Sequence, residues 1–143
     1  MKKVTLFFVL IFTCFAANIF SQARSELNFG LIGVTYEIPV HKDITIAPGA
    51  STNFDLNWLT LNVKANYYFD NLFGLTNESW DVYGGAGAGY AFYIGSDNKS
   101  SNFDIGLHAG GRWFWNDRWG VYLEVGGAST QGATGGIGLT VKL

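Results

Sequence analysis

Cysteine is nearly absent from this 143-residue chain. The single one, Cys14, falls in an N-terminal leader, which excludes a disulfide scaffold. Only two prolines, Pro39 and Pro48, interrupt the sequence, and charged residues make up 14% against the roughly 25% usual for a soluble domain. Positive charge is the scarcer sign. Without residues 1–23, seven Lys and Arg stand against eleven acids, a balance of −4, so no basic surface is available and nucleic acid is not an expected partner. Beyond the leader no stretch carries the 3.6-residue period of an amphipathic helix. Disorder is excluded by what is abundant: 48% hydrophobic and 17% aromatic residues, with nineteen glycines among them.

Met1-Lys2-Lys3 forms a positive n-region, residues 4–17 are almost wholly apolar, and Ser21-Gln22-Ala23 places small residues at −3 and −1 of a cleavage site. That is the pattern of a secretory signal peptide over residues 1–23. The apolar run is short of the ~20 residues that span a bilayer as a helix. Ile11-Phe12-Thr13 lacks the small residue that lipidation at Cys14 would want before it. Residues 24–143, about 120 of them, then form one exported domain.

That domain alternates with period two, the mark of half-buried strands. In residues 59–69, Leu59, Leu61, Val63, Ala65, Tyr67 and Phe69 share one face, opposite Thr60, Asn62, Lys64, Asn66 and Tyr68. Residues 80–92, 103–115, 119–126 and 136–143 repeat the arrangement, with an apolar face against a face of glycine and polar groups. Turn-rich stretches separate them at Asp70-Asn71, Gly95-Ser96-Asp97-Asn98, Asn116-Asp117 and Ser129-Thr130-Gln131-Gly132. An up-and-down antiparallel sheet follows, and closure into a barrel removes its edges. The solvent of the barrel is decided by which face points in. A glycine-lined, charge-poor face suits a narrow lumen, and the broad apolar face suits lipid, so a transmembrane barrel is favoured over a soluble one. Trp80, Trp115 and Trp119, near segment ends, are expected in an interfacial aromatic girdle. Lys64, Asp104, His108, Arg112 and Glu124 are expected to form a lumenal polar network.

Parity carries one turn further. Facing residues must share a face, so the turn after Trp115 should have three residues, Asn116-Asp117-Arg118. Arg112 then faces Tyr122 and lies diagonal to Glu124, within reach of an ion pair. Residues 28–38 form a clear segment, residues 44–46 a short strand ending at Pro48-Gly49, and the apolar parity switches near Asn57. Eight strands, the usual minimum and an even number, fit the length.

The run from Phe103 to Trp115, the turn Asn116-Asp117-Arg118 and the run from Trp119 to Gly126 resemble the late strands of small outer-membrane β-barrels, the opacity- and OmpA-like porin superfamily. The closing Gly-Ile-Gly-Leu-Thr-Val-Lys-Leu143 resembles their final strand, though that strand commonly ends in Phe or Trp. The resemblance implies the outer membrane of a Gram-negative bacterium, outer-membrane lipid as surroundings, and a C-terminal strand read by the barrel-assembly machinery. It implies no single activity.

No enzyme, cofactor or metal is expected. The glycine run between Tyr83 and Tyr90 lacks the spacing and the following helix of a nucleotide loop. Asp104 and His108 share a face but lie ~13 Å apart along a strand, too far for a catalytic dyad. His41 and His108 are too separated for a metal site, and Asp43 near His41 suits a solvated turn. Asn77-Glu78-Ser79 matches a glycosylation sequon of little weight in a bacterial exporter. The expected function is that of an integral outer-membrane barrel with a structural or surface-interaction role and a filled lumen, acting through its surface loops. A membrane barrel enzyme acting on lipid and a soluble exported ligand-binding barrel are the alternatives.

Overall fold

The computed structural model describes residues 23–75 and 77–143; the leader expected over residues 1–23, Ala23 excepted, lies outside the described residues. Eight strands run in chain order and close into an antiparallel, up-and-down barrel. They are β1 (Glu26–Gly30), β2 (Gly33–His41), β3 (Ile44–Thr52), β4 (Trp58–Tyr68), β5 (Trp80–Tyr93), β6 (Asn102–Phe114), β7 (Trp119–Ala128) and β8 (Gly132–Lys142). One helical turn, α1 (Asp70–Phe73), follows β4 and ends at Gly74, whose φ of 62° is the left-handed conformation that glycine adopts without penalty. Both chain ends of the barrel share one rim with the β2–β3, β4–β5 and β6–β7 turns. The other rim carries residues 31–32, 53–57, 94–101 and 129–131.

The alternation read from the sequence is the alternation of the wall. Leu61, Leu107 and Leu123 point outward and are 49%, 71% and 60% exposed, while the largest fully buried side chains are Arg112, Tyr68, Tyr83, Glu26 and Glu37. This is the inverse of a soluble barrel, in which the apolar face turns in. The β6–β7 turn has the three residues that parity demands: Arg112 faces Tyr122, and the Trp115 N–H donates to the Trp119 carbonyl at 3.1 Å. Asn116 Oδ1 fixes the turn by accepting the Arg118 and Trp119 N–H groups at 2.8 and 2.7 Å. The parity switch near Asn57 is a strand boundary. Asn53 Oδ1 accepts the Asn57 and Trp58 N–H groups at 3.1 and 3.0 Å, and Leu56 takes a positive φ of 54° in the loop between.

Two segments differ from expectation. Residues 28–38 form not one strand but the β1–β2 hairpin, turning at Leu31-Ile32. Neither turn residue is polar, so the usual composition signal is missing, and only the flanking Gly30 and Gly33 mark the reversal. The strand beginning at Ile44 does not stop at Pro48-Gly49 but continues to Thr52, in unbroken register with β4. Pro48 offers no N–H, and its effect falls on the β2 side. No paired position is found there between Thr35↔Gly49 and Ile38↔Ile46.

Glycine lets strands and rings approach. A Cβ on Gly110 would lie 2.5 Å from the Tyr83 hydroxyl oxygen, so β6 clears the space into which that ring folds. A Cβ on Gly138 would run into the Phe29 carbonyl, so β8 needs glycine there to lie against β1.

Candidate functional site

Arg112 organises the lumen near the rim that carries the chain ends. It projects inward from β6, is 2% exposed, and donates from Nη1 to Glu26 Oε2 at 2.7 Å. Its Nη2 donates to Glu37 Oε1, and Nη1 also reaches the Tyr68 hydroxyl. The guanidinium lies over the Tyr83 ring, 4.5 Å from its centroid. Glu37 is saturated by further donors: Asn28 Nδ2 at 3.0 Å, Thr45 Oγ1 at 2.7 Å and the Tyr68 hydroxyl at 2.7 Å. Glu26 accepts from Arg24 Nε at 2.7 Å and Thr140 Oγ1 at 3.1 Å, and Arg24 continues to Asp81 at 2.6 Å. Buried charges are tolerated only when paired and hydrogen-bonded in this way. Together they form a cross-lumen layer supplied by β1, β2, β3, β4, β5, β6 and β8.

Of the five residues expected in a lumenal network, all face inward, but they form separate groups. Arg112 does not pair with Glu124. Across so narrow a lumen a long side chain reaches the opposite wall, so Arg112 meets Glu26 and Glu37, while Glu124 meets Lys64 of β4. Tyr83 adds a hydrogen bond to Glu124 at 3.1 Å, and His108 Nε2 lies 2.6 Å from Asn66 Oδ1. Asp104 stands apart at the far rim. Its carboxylate accepts from Ser129 Oγ at 2.5 Å and from the Thr130 N–H and Oγ1, both at 2.9 Å, and so pins the β7–β8 turn.

Sequence reasoning missed Glu26, Glu37 and Asp81. A signal existed for the first two: Asn28 alternates with Leu27 and Phe29, and Thr35 and Glu37 alternate with Val34, Tyr36 and Ile38. Those runs are short, and the hairpin between them hid their common parity.

Towards the loop rim the lumen is not filled. A cavity of about 940 Å³ extends from Glu37, Tyr83 and Arg112 up to Asn53, Trp58 and Gln131. Trp80, Trp115 and Trp119 face outward at the opposite end, with Trp113 between, its ring centroid 6.4 Å from both Trp80 and Trp115. His108 and Asp104 are held by different partners.

No known family model matches the chain, and no curated protein does. Among solved structures, the chain is similar to a protein described under "De novo design of transmembrane beta-barrels", with 14% identity and a TM-score of 0.54, over 83% of this chain and 91% of that one. At that identity the likeness establishes the fold: a closed β-barrel of the transmembrane kind.

Proposed function

We propose that this chain is an integral protein of the outer membrane of a Gram-negative bacterium, a small barrel of the opacity- and OmpA-like superfamily with a structural or surface-interaction role. The observation that carries the reading is the inverted wall, with large apolar side chains outside and charges inside. In water such a surface would be one contiguous sticky patch; in lipid it is the solvent-matched face. The tryptophans at one end and Tyr90, Phe92 and Phe103 towards the other suit the two interfaces of a bilayer. The Arg112 layer, which spans the bore, supports the reading of a barrel closed to ion flow over that of an open porin. Its chemistry with other molecules rests with the loops over residues 94–101 and 129–131, and β8 supplies the C-terminal strand for the barrel-assembly machinery.

The test is fractionation followed by gel mobility. The protein should partition with detergent-extracted outer membrane and should migrate differently when loaded unboiled, because closed sheets resist detergent. Recovery in the soluble periplasmic fraction, with one mobility under both conditions, refutes the membrane assignment.

A further inference from the structure

The unfilled part of the lumen is a cup. Its floor is the Arg112 layer, and its mouth is the rim formed by residues 31–32, 53–57 and 129–131. That rim dips over β1, which pairs with β8 at five positions, from Glu26↔Lys142 to Gly30↔Gly138, and turns back at Leu31-Ile32. β8 meanwhile continues beside β7 as far as Gly132. The inward faces of the wall carry short hydroxyl and amide side chains, Thr35, Thr60, Asn62 and Thr134 among them. Two rings share those faces: Tyr122 on β7, and Trp58 at the mouth, which stands edge-on to Tyr93 with 5.0 Å between centroids.

Three buried polar atoms of this lumen have no hydrogen-bond partner among the described residues: Asn28 Oδ1, Asn62 Oδ1 and Arg112 Nε. All three side chains line the cup. Asn28, only 6% exposed, and Arg112 both donate to Glu37 Oε1, so an orphaned acceptor and the orphaned donor belong to neighbouring groups at the floor. Asn62 enters from β4. Its Oδ1 and Thr35 Oγ1 converge over Gly49, where a Cβ would lie 2.9 Å from each, so glycine keeps that pair of polar atoms clear. Buried polar groups are ordinarily hydrogen-bonded, and those left without a protein partner call for one from outside the chain.

We infer that the cup is a binding site for a small, uncharged, sugar-like polyol that enters through the loop rim. The inference goes beyond the membrane reading and stands on the chemistry of the lumen alone. The asparagine oxygens require donors, and Arg112 Nε requires an acceptor. A hydroxyl group is both. An anion would meet the two bare carbonyl oxygens, and an ammonium would meet the guanidinium. Neither finds a counter-ion, because Lys64 is held by Glu124, Glu37 by Arg112, and Asp104 by the β7–β8 turn. Thr35, Thr60 and Thr134 add hydroxyls that turn to donate or accept. The Trp58 and Tyr122 rings offer apolar surface to the C–H faces of a sugar ring, the mixture of aromatic cover and a few convergent polar groups that marks small-molecule sites.

The test titrates methyl glucoside into the folded full barrel in phosphatidylcholine nanodiscs, free of sugar-headed detergent, and follows nuclear magnetic resonance signals. The Asn28 and Asn62 side-chain amides and the Trp58 indole N–H should shift saturably. Asn62→Leu removes one acceptor and should weaken binding about tenfold, the worth of one buried hydrogen bond. Gly136→Phe places a ring in the cup and should abolish it. A Cβ at Gly136 meets only the Tyr122 ring, at 3.6 Å from Cε2, so the wall is undisturbed, and unboiled gel mobility confirms the fold of both variants. Absence of any saturable shift up to about 100 mM overturns the site and leaves water as the partner of the three atoms. Shifts that are confined to residues 94–101, or that persist unchanged in both variants, overturn a lumenal location. Tighter binding of glucosamine or glucuronate than of methyl glucoside overturns the uncharged class. None of these outcomes touches the membrane assignment, which fractionation decides.

Discussion

Replacing Arg112 by methionine is the sharpest probe of the lumenal layer. The change removes one cation from between Glu26 and Glu37, both fully buried, and leaves Glu26 with Arg24 and the Thr140 hydroxyl. Glu37 keeps its bonds from Asn28, Thr45 and Tyr68 but loses the one counter-ion it has among the described residues. Breaking a buried pair by deleting one partner costs about 3–5 kcal/mol, because the other charge stays desolvated. Glu37→Gln removes the charge and retains acceptor capacity, so the double variant should recover much of that loss. The coupling between the two sites should then be about 1–3 kcal/mol. Urea unfolding of the barrel in lipid vesicles measures each corner of this cycle. A loss of less than about 1 kcal/mol for Arg112→Met is the range of a solvent-exposed pair. That result would mean water reaches the layer freely, and the argument for a lumen closed at this level would fall.

Other outcomes follow from the same geometry. Leu107→Arg, near the middle of the outward face of β6, should cost about 2–4 kcal/mol, whereas His108→Arg, facing the cavity beside Glu124, should cost clearly less; equal losses in vesicle unfolding would contradict the face assignment. Gly110→Ala, which presses a methyl on the Tyr83 hydroxyl and the Leu123 carbonyl, should destabilise by about 1–3 kcal/mol. Gly136→Ala, with ordinary contact to Tyr122, should be close to neutral in the same assay. Purified protein in planar bilayers should give no stable, large conductance; a reproducible open channel would show that the Arg112 layer does not seal the lumen.

The barrel was legible from period-two alternation wherever strands are long. In β4 to β8 each face repeats often enough to identify itself, and parity alone set the length of the Asn116-Asp117-Arg118 turn. The β1–β2 hairpin was not legible, because a turn made of Leu31 and Ile32 continues the apolar pattern instead of breaking it. Pro48 misled in the opposite sense. It punctuates the sequence, yet the strand tolerates it because only one of its two ladders loses contacts. At the lumenal site the inward residues could be named but not their partners. Neighbour rules along a sheet place Arg112 beside Glu124, whereas ion pairs across a narrow bore are decided by which carboxylates stand on the far wall. Glu26 and Glu37 stand there through the curvature of the closed sheet, and alternation carries no information about curvature.

The brevity of β1 also bears on how the molecule forms. Seven of the eight ladders join consecutive strands, so each can zip from its own turn at small entropic expense. The eighth must bring Glu26 to Lys142, and closing so long a loop costs about 2 kcal/mol more than closing a ten-residue hairpin. Against that cost it gains only five paired positions. The meeting of the first and last strands is therefore expected to come late in folding. Under stress the same junction parts first, so amide exchange should begin along β1 and the adjoining stretch of β8 while the long β5–β6 ladder stays protected.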